Sequence, residues 1–190
     1  MTGAEHRLHM RQIRRIYREA ASSTKQYGRE WYEREHTEAR SLAITMGLEL
    51  RLVCACLAVL SPRCQWPRVK SACRQLLSGE NPPGIFGHNL RKAAAILQSQ
   101  NGVPIDPNTA PKTWAFWQNL WHPNDPEPVT LDSWMFRAHD LPASVSFSTY
   151  QTLADCYRVV AEEVALVPNQ LQATVWLHVR EKTSSERKQP

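Results

Sequence analysis

The sequence TAPKTWAFWQNLWHPNDPEPVTLDSWMFR at residues 109–137 organises the chain. Pro111 favours the first turn of a Trp-rich helix, and a Pro-rich loop follows that helix. The loop leads to one carboxylate, Asp132, at the start of another helical segment. Its apolar neighbours favour a half-buried carboxylate aimed into a cleft, while aspartate is also a common helix N-cap. From these residues alone, capping and catalysis both remain open.

Helical periodicity recurs through the rest of the chain, and no strand pattern of useful length interrupts it. The stretch SSTKQYG at residues 22–28 is expected to separate the first two helices, and His88 or Asn89 to cap a later one. We therefore predict an all-α domain of about nine helices over residues 1–182, followed by a disordered tail at 183–190. The predicted helices cover residues 5–21, 30–46, 48–60 (central and buried), 67–77 and 88–98, the segments after Pro111 and Asp132, 150–164, and a last helix around 171–180.

Composition limits the classes of partner. The formal charge of +5 and the sequence pI of about 9.1 favour a polyanionic partner. Five arginines surround the first helix, where phosphate contact and a solvated face remain open. Five cysteines without a C-x-x-C pair indicate reduced thiols, neither a disulfide framework nor a zinc site. No signal peptide or long apolar run is present, so we expect a cytoplasmic monomer without a membrane partner.

Four stretches, in this order, share a pattern with a known family. They are LAVLSPRCQWPRV at residues 57–69, GIFGHNLRKAAAIL at 84–97, PKTWAFWQNL with PVTLDSWMFRA at 111–120 and 128–138, and PNQLQATVWLHVR at 168–180. Together they resemble a serine–glutamine loop, the helix after a glycine–aromatic turn, a hairpin with its catalytic aspartate, and the closing helix of the helix-hairpin-helix DNA glycosylase superfamily. The resemblance implies a two-lobed helical bundle with a central cleft.

Two departures from that family stand out. The hairpin position has NTAPKT at residues 108–113, without the usual glycines, and the iron–sulfur cysteine quartet is missing. The chain is therefore more similar to a divergent branch, the α-glutamyl/putrescinyl-thymine pyrophosphorylase-like proteins of phages and bacteria, which includes anti-phage DNA glycosylases. That branch implies modified phage DNA as the substrate.

The resemblance also implies roles for individual residues. Asp132 would stabilise the oxocarbenium-like sugar formed when an N-glycosidic bond breaks. Lys112 precedes it by 20 residues, close to the family's spacing between hairpin lysine and catalytic aspartate. Lys112 is a candidate Schiff-base nucleophile, phosphate contact or solvated cation. A cation at a helix N-terminus opposes the dipole, which a nearby phosphate would offset. We therefore favour phosphate contact over a nucleophile and expect a monofunctional enzyme.

A base that leaves the duplex needs stacking surfaces and hydrogen-bonding groups. Structural roles remain open for the same residues: Trp176 in the core, Gln172 satisfying a buried backbone group, Asn89 as a helix cap, and the cations solvated. His122 and Asp125 are too few to indicate a metal, and we expect no cofactor. The predicted base pocket comprises Ser61, Gln65, Trp66, Gln172 and Trp176, and the predicted phosphate contacts are Asn89, Arg91, Lys92 and Arg137.

The resemblance implies three candidate functions. The first is a DNA glycosylase that removes a bulky modified pyrimidine, such as glucosylated hydroxymethylcytosine, and leaves an abasic site as an anti-phage defence. The second is a transferase of phage DNA hypermodification that acts on an activated hydroxymethylpyrimidine. The third is a DNA-binding module without catalysis.

Overall fold

The computed structural model describes residues 3–99 and 102–186, and these residues form helices and loops with no strand. The all-α prediction is confirmed. The helices in this part of the chain are α1 (Gly3–Glu19), α2 (Ser22–Met46), α3 (Leu50–Leu60), α4 (Trp66–Leu77), α5 (Gly87–Gln98), α6 (Pro111–Trp121), α7 (Ser133–Arg137), α8 (Phe147–Glu163) and α9 (Pro168–Glu186).

The chain divides into two compact units. The terminal unit consists of Met1–Glu33 and Pro123–Pro190, and the central unit consists of Arg34–His122. The division falls inside α2, so one helix contributes to both units. The more specific glycosylase type of two-lobed bundle stays a prediction.

Helices α1, α8 and α9 pack together in the terminal unit. Ile13 of α1, Leu153 and Val160 of α8, and Leu171 of α9 are fully buried in a single hydrophobic cluster. Burying a side chain of this size contributes about 1.5–3 kcal/mol. Tertiary packing therefore determines which face of each helix points inward.

Helix α3 is the core of the central unit. Every residue from Val53 to Leu60 is buried, and α3 packs against α4, α5 and α6. The Cys56 thiol, 3.7 Å from the Ala93 carbonyl oxygen, donates to it across the contact between α3 and α5. The prediction of a central buried helix at residues 48–60 is confirmed within one turn.

The expected break at SSTKQYG is wrong. Helix α2 begins at Ser22 and continues through Gly28 to Met46, while the real break lies at Ala20 and Ala21. Gly28 is tolerated because α2 approaches α9 closely there: a Cβ at this position would lie 2.7 Å from the Thr174 Cα. Gly47, with φ of 64°, ends the helix as expected.

Two other predicted boundaries also differ. Helix α5 begins at Gly87 with Phe86 at the cap position, so neither His88 nor Asn89 caps it. The tail predicted from residue 183 starts too early, because α9 runs to Glu186. There the Thr183 hydroxyl donates to the Val179 carbonyl at 2.9 Å, as a helical threonine does. Residues 187–190 lie outside the described part.

No single helix in the described ranges is long and apolar enough to cross a membrane, although α2 and α3 together have that length and composition, with a bend of 118° between them. All five cysteines are free thiols. Four are buried and Cys64 is partly buried.

Candidate functional site

Asp132 is the N-cap of the short helix α7. Its Oδ1 accepts hydrogen bonds from the backbone N–H groups of Trp134 at 2.9 Å and Met135 at 3.1 Å. The two bonds satisfy amide donors that a helix leaves unpaired at its first turn. The capping role that the sequence left open is therefore present.

The second oxygen of Asp132 has a different partner. The indole Nε1–H of Trp176 on α9 donates to Asp132 Oδ2 at 3.0 Å. Asp132 is half-buried, so its carboxylate sits between α7 and α9 rather than on open surface. The structure thus joins two of the residues that the sequence singled out.

Cations stack on the tryptophans beside this carboxylate. The Arg180 guanidinium lies 4.3 Å from the ring centroid of Trp176 and 6.0 Å from that of Trp134. The Arg137 guanidinium lies 5.2 Å from the Trp134 ring on its own helix. Both arginines are exposed, so the carboxylate is bordered by a surface of alternating guanidinium and indole groups.

Tyr150 fixes the segment that precedes Asp132. Its hydroxyl donates to the Val129 carbonyl at 2.7 Å and accepts from the Leu131 N–H at 3.1 Å. Burial raises the pKa of the Tyr150 phenol, so the hydroxyl keeps the proton that it donates. The backbone that enters α7 is therefore held by one side chain of α8.

Gln172 has a structural partner. Its side chain is buried, and its Oε1 accepts from the Tyr32 hydroxyl at 3.0 Å. This bond links α2 to α9 one turn before Trp176. The oxygen of Gln172 is thus engaged within the terminal unit by a side-chain hydroxyl, whereas the alternative predicted a buried backbone group as the partner.

The arrangement suits charge stabilisation. Three N–H donors converge on the Asp132 carboxylate and hold it in one orientation. A fixed anion can stabilise a positive charge that develops beside it. Among the described residues, Oδ2 accepts one hydrogen bond, from Trp176, so it retains a lone pair that can accept from a water molecule.

The other predicted pocket residues lie in the central unit. Ser61 ends α3, and its hydroxyl donates to the Ala58 carbonyl at 2.9 Å. Gln65 is exposed at the N-cap of α4, and Trp66 packs edge-on against Phe116 with ring centroids 5.5 Å apart. Ser61 and Gln65 therefore flank one loop, with Trp66 packed beside it.

The predicted phosphate contacts divide by exposure. Arg91 and Lys92 are exposed on α5, whereas Asn89 is 2% exposed. Lys112 is half-buried in the first turn of α6 behind Pro111. The described residues bring no three His, Cys, Asp or Glu side chains together in a way that would hold a metal ion.

Three contacts within the terminal unit could not be identified from the sequence. Arg180 follows Trp176 by four residues, so helical spacing predicts that the two lie on one face of α9. The contact of Arg180 with the Trp134 ring, however, joins α9 to α7, which lies far from it in the sequence. Tyr32 lies 140 positions from Gln172, and no local pattern connects the two. The same is true of a buried imidazole pair: His9 and His139 have ring centroids 5.0 Å apart.

A family model described as "Family of unknown function (DUF7178)" matches residues 1–183. No curated protein and no solved structure matches the chain.

Proposed function

The chain therefore belongs to the DUF7178 family, and we propose that it is a monofunctional DNA glycosylase of the helix-hairpin-helix type. Its proposed substrate is a bulky modified pyrimidine in phage DNA. The observation that carries the proposal is the Asp132 carboxylate, which is fixed at the start of α7, bonded to Trp176 and bordered by Arg137 and Arg180.

Breaking the bond between a base and its sugar builds positive charge on the sugar. A carboxylate beside that sugar lowers the barrier by stabilising this charge, and it needs no proton transfer to do so. Asp132 suits this role because three N–H donors hold its carboxylate in one orientation. Its Oδ2 can also orient the attacking water through the remaining lone pair.

The surface around Asp132 suits a nucleic acid. Indole faces stack on bases, and guanidinium groups bind phosphate oxygens. Trp134, Trp176, Arg137 and Arg180 supply both kinds of group within one unit. This combination supports DNA as the partner.

Lys112 is assigned to phosphate contact instead of strand cleavage. A lyase lysine must be deprotonated to attack the sugar, and burial against apolar groups favours that state. Lys112 is only half-buried, in the first turn of α6. Hydrolysis should therefore leave an intact strand with an abasic site.

The test uses the full chain and duplex DNA that carries glucosylated hydroxymethylcytosine or another hypermodified pyrimidine. We expect alkali and heat to cut the strand at the modified base after incubation, with no cutting before alkali. Unmodified duplex is the control. If no modified DNA acquires alkali-sensitive sites, the proposal is wrong.

A mass analysis of the same digested DNA separates two chemistries. Release of the free modified base supports the glycosylase. On a duplex that carries a pyrophosphorylated hydroxymethylpyrimidine, with an amine added, release of pyrophosphate and attachment of the amine to a base that stays bonded to its sugar support the transferase instead. Binding without either product supports a DNA-binding module.

A further inference from the structure

Positive charge is concentrated on α1 and the start of α2. Residues 3–29 contain seven Arg and Lys against two Glu, an excess of five that equals the formal net charge of the whole chain. This segment lies away in sequence from every residue assigned to base removal. The proposed reaction therefore does not explain why positive charge is concentrated in this segment.

Four arginines of α1 form one exposed stripe. Arg7, Arg11, Arg15 and Arg18 are exposed and follow each other at spacings of four, four and three residues, which places them on one face of a helix. The opposite face carries Ile13 and Ile16 into the core. The stripe extends about 16 Å along the helix axis.

The stripe is poorly neutralised by the protein itself. Arg7, Arg11 and Arg18 form no ion pair with a carboxylate in the described part of the chain, and Arg15 approaches Glu19 only at 4.0 Å. By contrast, Arg14 turns toward α8 and forms a two-point pair with Glu163 at 2.6 and 2.7 Å. Like charges at this spacing repel along a helix, so an external anion would relieve the repulsion.

Two further cations lie at the end of the stripe. Lys25 of α2 sits 5.1 Å from the ring centroid of Tyr17 and donates to the Arg18 carbonyl. The Arg29 guanidinium donates to the Tyr17 hydroxyl at 3.2 Å. These contacts hold the start of α2 beside the last turn of α1, so the basic surface continues past the end of α1.

We propose that this α1 stripe, formed by Arg7, Arg11, Arg15 and Arg18, binds the phosphodiester backbone of duplex DNA. Its length of about 16 Å corresponds to the axial rise of about five base pairs. Guanidinium groups pair with phosphate oxygens at two points, as these arginines can because no carboxylate holds most of them. The contact is with the backbone, so it is independent of base identity.

The inference shares DNA as a partner with the proposed function but not its reaction. It is therefore tested on unmodified duplex, where no base is removed. If the wild-type chain binds unmodified duplex through these arginines but forms no abasic site on any modified duplex, only the proposed function is contradicted.

The test replaces Arg7, Arg11 and Arg18 together by Gln and measures fluorescence anisotropy with a fluorescein-labelled 30-base-pair duplex from 50 to 300 mM KCl. We expect affinity at 100 mM salt to fall at least about tenfold, and the slope of log affinity against log salt to decrease by about three. Glutamine is a good helix former, so the circular dichroism spectrum should not change.

A matched variant removes the same charge elsewhere: Arg40, Arg74 and Lys182, all exposed, are replaced by Gln. Its affinity should stay within about threefold of the wild type, since non-specific attraction alone accounts for little. If both triple variants lose affinity equally, or if the α1 variant binds like the wild type with an unchanged salt slope, the inference is wrong.

Two further measurements test the proposal independently of the triple variants. Arg11→Glu places a carboxylate between Arg7 and Arg15, which favours the helix while removing the surface charge, and it should lower the salt slope by more than one. Vesicles of phosphatidylcholine and phosphatidylserine test a lipid partner. Vesicle binding that depends on these arginines, with duplex binding unaffected, would overturn the inference.

Discussion

The two oxygens of Asp132 have separate partners. Oδ1 caps α7 through the Trp134 and Met135 amides, and Oδ2 receives the Trp176 indole. The sequence predicts the cap, because an aspartate before a helical segment has a local signal. It cannot predict the indole bond, since Trp176 is 44 positions away and approaches only after α9 packs against α7.

Tyr150→Phe tests how firmly the approach to Asp132 is held. The substitution removes a hydroxyl that bonds the Val129 carbonyl and the Leu131 amide, so two buried backbone groups lose a partner. We expect the free energy of unfolding to fall by about 1–3 kcal/mol. Urea denaturation measures it, and a loss below about 0.5 kcal/mol would show that these bonds matter little.

The His9 and His139 pair gives stability a pH dependence. Burial lowers the pKa of His139 to about 3, with a further decrease from the His9 charge. Burial also lowers the pKa of His9, against an opposing effect from Glu5. Both Nδ1 atoms lack a hydrogen-bond partner in the described residues, and the Tyr157 hydroxyl lies 3.3 Å from His139 Nε2.

The lowered pKa of His139 fixes the sign of the pH dependence of stability. Below about pH 6.5 the unfolded chain takes up a proton that folded His139 resists. Stability is therefore complete above that pH and decreases toward pH 3, by up to about 1.4 kcal/mol per pH unit for each such histidine. Urea unfolding from pH 7.5 to 5 should show this decrease.

Matched variants identify the group responsible. His139→Phe removes the titration and keeps a ring against His9, so the pH slope of its unfolding free energy should be smaller than in the wild type. His88→Gln removes an exposed imidazole and should leave the slope unchanged. Equal slopes in the wild type and His139→Phe would contradict the assignment.

At the scale of helices, α2 differs most from its sequence prediction. Glycine is a poor helix former in isolation, so SSTKQYG predicts a break. At Gly28, however, the close contact with α9 decides that the helix continues. Local propensity cannot report that contact, because Thr174 lies far along the chain.

Gly28→Ala tests this contact directly. Helix propensity alone would make alanine about 1 kcal/mol more stable than glycine. The new Cβ would instead meet Thr174 Oγ1 at 2.3 Å and Cα at 2.7 Å. We expect a loss of about 1–3 kcal/mol in unfolding free energy from overpacking, measured by urea denaturation.

Gly87→Ala is the control for that substitution. A Cβ at Gly87 would meet only the end of the flexible Arg91 side chain, at 3.6 Å. Its stability should equal or exceed that of the wild type. If Gly28→Ala is also neutral, α2 and α9 are not in close backbone contact.

Sequence periodicity anticipated α3, α4, α8 and the Trp-rich helix α6 well, because each carries apolar residues at regular helical spacing. Boundaries were less accurate where a cap or a tertiary contact decides them, as at Phe86 and Gly28. Within the site, Asp132, Trp176 and Arg137 gather in one unit. The bond that engages Gln172 depends on Tyr32 in a distant helix, which no spacing argument supplies.

In the whole molecule, the excess positive charge and the proposed catalytic carboxylate lie on different helices. The net charge of the chain matches that of residues 3–29, whereas the candidate carboxylate lies at the start of α7 in the same unit. If both proposals hold, the α1 stripe supplies affinity for the DNA backbone and Asp132 supplies the reaction. The two activities should then be separable by substitution.

The most direct test of the central claim is the single-turnover rate of abasic-site formation on modified duplex by Asp132→Asn, compared with Asp140→Asn. Asparagine caps helices about as well as aspartate, so Asp132→Asn should fold while lacking the carboxylate charge. Asp140 is exposed with φ of 55°, which asparagine tolerates. We predict a rate at least about a hundredfold lower for Asp132→Asn and an unchanged rate for Asp140→Asn. A wild-type rate in Asp132→Asn would contradict the assignment of catalysis to this carboxylate.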